Sequence, residues 1–98
     1  MATIKIMYWN DIPYALRAFD DDGRCSKQLP DLFEATVDSA AMASGLTTQD
    51  DYQSGFRWAD EEERPGTAEH VVRIVHDEIV KAYPPKRLAA MAHARRNA

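Results

Sequence analysis

The 98 residues carry 45% hydrophobic and 29% charged side chains with only 4 Gly and 5 Pro, which describes one small globular domain and excludes disordered, collagen-like and two-domain chains. The net charge of -4 conceals an asymmetry: residues 1–83 hold 8 Lys or Arg against all 16 Asp and Glu, whereas residues 84–98 hold Lys86, Arg87, Arg95 and Arg96 and no acid. An acidic body is a poor partner for phosphate backbones, so nucleic-acid contact is an expectation for the basic tail alone.

Thr3 to Trp9 alternates with period two, Ile4, Ile6 and Tyr8 against Thr3, Lys5, Met7 and Trp9, which predicts a first strand with one face on a core. Asn10-Asp11-Ile12-Pro13 interrupts it, and Tyr14 to Phe19 resumes as a second strand, antiparallel because the connection is short. Asp20-Asp21-Asp22-Gly23 is a turn, after which Arg24 to Gln28 either returns as a brief third strand or leads into the next element.

Leu29-Pro30-Asp31 opens a helix with acidic residues at its positive end, and Leu32, Phe33, Thr36, Val37, Ala40 and Ala41 share one face. Gly45 suits the left-handed position just past its end. Tyr52 to Ala59 alternates again and predicts a strand, followed by an acidic loop over 60–66. Thr67 is a good N-cap for a final helix whose stripe runs through Val71, Ile74, Val75, Glu78, Ile79, Ala82 and Tyr83. Pro84-Pro85 ends it, and the Ala-rich basic tail forms a short helix only if something docks it. The order ββαβα predicts an α+β two-layer sandwich: a three- or four-stranded mixed sheet with two helices on one face, one domain over 1–83 and a basic tail over 84–98.

A resemblance accompanies this pattern. Tyr8-Trp9 with Asp11-Ile12-Pro13, Gly23-Arg24, Leu29-Pro30, Phe33, Val37-Asp38, Ala40-Ala41-Met42, Gly45, Asp51-Tyr52, Trp58 and Glu63-Arg64-Pro65-Gly66-Thr67-Ala68-Glu69 resemble the bacterial family known as "virulence factor" over residues 4–83. The resemblance implies kinship with small stand-alone proteins and with the terminal module of conserved virulence factor C, which accompanies a scaffold-type iron–sulfur domain and helical repeats. It implies no catalytic residues. It also suggests an accessory role beside folate- and corrinoid-dependent methyl transfer in one-carbon metabolism. Tyr14-Ala15-Leu16 and Gln53-Ser54-Gly55-Phe56 depart from the family's usual Ala-Gln-Val and Leu-Glu-Gly-Trp, and the basic tail lies outside the shared region.

The chemically active residue types are sparse. Cys25 has Arg24 and Lys27 nearby but no Cys–His motif, so it reads as an incidental thiol, and one cysteine excludes a disulfide framework and fits a cytoplasmic setting. His70 and His76 lie about 240° apart on a helix and do not share a metal, and His93 lies in the tail. The Asp20–Asp22 and Asp60–Glu63 runs read as solvated loops, because acid catalysis needs a buried, protonated carboxyl. No metal or cofactor is expected. No signal peptide is visible, nor a run of about 20 apolar residues to span a membrane.

What remains is aromatic and cationic: Met7, Trp9, Tyr52 and Trp58 with Arg24, Arg57 and Arg64, the residue types enriched in binding hot spots. Either the two tryptophans close the edge of a small core, or they line a surface. With helices on one face of the sheet, Met7 and Trp9 are expected on the other, where a protein partner or a second copy would cover them. The preferred expectation is therefore a non-enzymatic interaction or accessory domain. The alternative is a pocket between Trp9, Trp58, Arg24 and Arg64 for an anionic small molecule, as ligand or substrate, and a third is a tail that touches RNA or an acidic membrane.

Overall fold

The computed structural model describes residues 1–43 and 53–96. Among these residues, five strands, β1 (Ala2–Trp9), β2 (Ile12–Asp20), β3 (Gly23–Gln28), β4 (Phe56–Trp58) and β5 (Glu62–Arg64), pack with the helices α1 (Asp31–Ala43), α2 (Ala68–Ala82) and α3 (Pro85–Arg96) in a two-layer α+β sandwich. The strand order is β3-β2-β1-β4, with β5 also on β1. Every pairing among the described residues is antiparallel, so the expected mixed sheet of three or four strands is corrected there to an antiparallel sheet of five.

The fifth strand comes from the acidic segment. Glu62–Arg64 pairs with Ala2–Ile4 while Phe56–Trp58 pairs with Met7–Trp9, so two three-residue strands share one edge of β1. The expected strand over 52–59 shortens accordingly, since Gln53 and Ser54 are helical and Gly55 turns the chain. Tyr52 and Gly45 lie outside the described residues.

The core face follows the alternation. Ala2 and Ile4 of β1 and Leu16 and Ala18 of β2 are buried, and α2 supplies Ala68, Val71, Val72, Val75 and Ile79 over them. The helix stripe is rotated slightly from the expected one: Ile74 stays 41% exposed, and Glu78 is held outside by Arg64. On α1, Phe33, Thr36, Val37, Ala40 and Ala41 are buried as expected, whereas Leu32 is exposed. The Thr36 hydroxyl donates to the Leu32 carbonyl at 2.7 Å, which satisfies the buried polar atom.

Thr67 caps α2 through a bond accepted from the His70 N–H. At the other end the Arg87 guanidinium donates to the Ala82 carbonyl at 2.6 Å and lies over the Tyr83 ring, covering the negative end of α2 with a cation. The basic segment is thereby docked. Leu88 is fully buried, and α3 packs against α1.

Candidate binding surface

The turn linking β1 to β2 uses Asn10 at φ 55°, and the register slips by one residue between Met7 and Tyr8, leaving Tyr14 as the extra residue of β2. Tyr14 meets Phe56 edge to face at 4.9 Å. Burial and the nearby Glu34 and Asp38 carboxylates raise its phenol pKa. Asn10 N–H donates to the Gly55 carbonyl at 2.8 Å, which draws the turn before β4 across the end of β1. Trp9 is covered as a result.

Its exposure is 0%, and a Cβ on Gly55 would sit 2.5 Å from the indole Nε1. The expectation that Trp9 shares an open face with Met7 is therefore corrected: the end of the strand is roofed by backbone, and Trp9 belongs to the core. The alternative pocket between Trp9, Trp58, Arg24 and Arg64 is not assembled either. Arg64 turns to α2, forming a two-pronged ion pair with Glu78 at 2.7 and 3.0 Å, with Glu62 at 3.4 Å. That pairing raises the Arg64 pKa and lowers that of Glu78. Arg57 lies over the Tyr8 ring at 5.1 Å, and burial is the main cause that raises the Tyr8 pKa.

The structure does gather a different set on the side of the sheet away from Ile4 and Leu16. Met7 is the direct partner of Trp58, and Lys5 is the direct partner of Arg17. The Trp58 ring has the Lys5 ammonium 4.9 Å and the Arg17 guanidinium 5.0 Å from its centroid. Arg17 also donates to the Ser26 hydroxyl on β3 at 3.2 Å. Among the described residues, no carboxylate pairs with Lys5, Arg17 or Arg24. A groove of about 300 Å³ runs beside this set, from Gln28 and Ser26 on β3 across Ala15 to Met7 and Trp58.

Sequence reasoning named Met7 and Trp58 but missed Lys5 and Arg17. The signal was present in the alternation, because Lys5 sits two residues from Met7 on the same face of β1, and Arg17 two residues from Ala15 on β2.

The acidic turn also has a role the sequence did not suggest. Asp20 accepts from the N–H groups of Asp22 at 2.8 Å, Gly23 at 3.1 Å and Ala68 at 2.8 Å, and these bonds lower its pKa. It is a structural clamp. Among the described residues no group of three His, Cys, Asp or Glu side chains is arranged to hold a metal ion, and no helix is long and apolar enough to cross a membrane.

The model of the family described as Virulence factor matches residues 7–92. The match continues past Pro84 into α3, so the basic segment, expected outside the shared region, belongs to it as far as Ala92. No curated protein and no solved structure shows significant similarity to the chain.

Proposed function

The chain belongs to the Virulence factor family, and within it we propose a cytoplasmic protein-interaction domain, an accessory subunit that docks a partner on the open sheet face around Met7 and Trp58. One observation carries the reading. Trp58, a large half-buried aromatic, lies on the face away from the core, beside a groove, with the Lys5 and Arg17 cations against its ring and no acid paired with either among the described residues. Aromatic and guanidinium groups presented together are the side chains that dominate protein interfaces. The resemblance implies the partner class, a protein of folate- or corrinoid-dependent methyl transfer or one carrying an iron–sulfur cluster.

The test is affinity capture from the native bacterium with the wild-type chain, Met7→Glu and Trp58→Ala, each checked for fold by circular dichroism. A methyl-transfer or iron–sulfur protein held by the wild type and lost from both folded variants supports the reading. Equal retention by the variants, or capture of the chain by itself alone, counts against it.

A further inference from the structure

The outer edge of β3, unpaired among the described residues, gives the open face a second way to hold a partner. Gly23–Gln28 pairs with β2 over six consecutive positions without a register shift, and among the described residues β2 is its one neighbour in the sheet. The strand has neither the proline nor the bulge with which edge strands are commonly blunted. Its hydrogen-bond phase follows from one bond at its end. Leu29 N–H donates to the Tyr14 carbonyl, and these two residues continue the register of the β2–β3 ladder, so Leu29, Lys27 and Cys25 bond inward to β2. By the alternation of antiparallel ladders, Arg24, Ser26 and Gln28 turn their backbone N–H and C=O groups outward. The side chains of the same three residues lie in cross-strand rows with Phe19, Arg17 and Ala15, on the face that carries Trp58.

We propose that this edge takes up an extended, acidic segment of a partner protein as an additional β-strand. The inference rests on the open face being the interaction surface and names the chemistry of what docks there. An added strand lies about 4.8 Å from β3, bonds to the outward backbone groups, and projects every second side chain onto the open face. Those side chains meet Arg24 and, one strand further in, Arg17, cations without a carboxylate partner among the described residues. Glutamate or aspartate at alternate positions satisfies them. A second copy of β3 is disfavoured as the occupant, because Gly23–Gln28 carries Arg24 and Lys27 and no acid with which to meet these cations.

The experiment uses the ¹⁵N-labelled full chain and a seven-residue peptide alternating glutamate and valine, with its lysine–valine counterpart as control. The acidic peptide is expected to slow hydrogen exchange at the amides of Arg24, Ser26 and Gln28, and to bind more weakly as salt rises. Ser26→Pro deletes one outward N–H at a position where an edge strand tolerates proline, and should weaken binding about fivefold or more, whereas Ser26→Ala should not. Arg24→Glu, at an exposed site, should lose the acidic peptide and gain the lysine peptide. Equal binding of both peptides by the wild type, or wild-type affinity in a folded Ser26→Pro chain, overturns the proposal. So does protection of the three amides without peptide at high protein concentration, which means self-association, or equal protection by a single-stranded oligonucleotide. Peptide-induced changes confined to Met7 and Trp58 overturn strand addition while leaving the open-face reading intact. No binding by either peptide, with partner capture still lost in Trp58→Ala, has the same meaning.

Discussion

The Asp20 carboxylate accepts the backbone N–H of Ala68 across 48 residues of chain, tying the β2–β3 turn to the first turn of α2. Its other oxygen holds the N–H groups of Asp22 and Gly23, so one side chain shapes the hairpin and caps a helix together. Asp20→Ala is expected to lower the urea midpoint well beyond any change in Asp21→Ala, because the neighbouring carboxylate makes no such bonds.

The same bonds predict a dependence on pH. The folded Asp20 pKa lies below its unfolded value, as does that of Glu78 beside Arg64. Stability from a depressed carboxyl is complete above the unfolded value, near pH 4, and is lost as pH falls through that value towards the folded one. Urea midpoints measured from pH 7 down to about pH 2 should converge for wild type and Asp20→Ala at the acid end. A difference that stays constant over this range would mean that the charge on Asp20 contributes nothing.

Trp9 and Gly55 form a packed pair, and both should be intolerant of change. Gly55→Ala forces a methyl group to 2.5 Å from a buried indole nitrogen, an overpacking expected to cost about 1–3 kcal/mol. Trp9→Ala removes a fully buried ring and should cost about 3–5 kcal/mol, a large part of the stability of a domain this size. Chemical denaturation measures both, and a near-neutral Gly55→Ala would show that the indole has room to move.

The alternating β1, β2 and the apolar stripe of α2 were legible because burial there follows the period of the element. Trp9 was misread because alternation says nothing of the backbone that Gly55 later lays across a strand end. β5 was hidden by Glu62, Glu63 and Arg64, which read as a solvated loop although main-chain pairing to β1 asks little of the side chains at an edge. Lys5 and Arg17 were passed over because each looks like an ordinary surface cation until the register sets them side by side against Trp58.

The two tryptophans should separate spectroscopically. In Trp58→Phe the remaining Trp9 should emit to the blue and resist acrylamide quenching, since its exposure is 0%. In Trp9→Phe, provided the chain folds, Trp58 should emit to the red and be quenched. Lys5→Ala or Arg17→Ala removes one partly exposed cation–π contact and should cost no more than about 1 kcal/mol, leaving the fold intact while altering Trp58 emission. Equal quenching of the two single-tryptophan chains would contradict this arrangement.

Leu88 gives the sharpest test of where the folded unit ends. Its complete burial, with Met91 and Ala92 packed against the same core, makes α3 the cover of α1. The segment looked like a tail because its apolar residues do not form a clear stripe and its charge is opposite to that of the body. Leu88, with Met91 and Ala92 beside it, docks the segment on the core, helped by Arg87 on the Ala82 carbonyl at the end of α2. Leu88→Ala should therefore cost about 2–5 kcal/mol, whereas Lys86→Ala, at an exposed position, should change little. Removing residues 84–98 exposes the buried face of α1 and should destabilise further still. Thermal and urea unfolding of the three chains settles the matter: if the truncated chain unfolds at the wild-type midpoint, α3 contributes no stability and its docking on α1 is wrong.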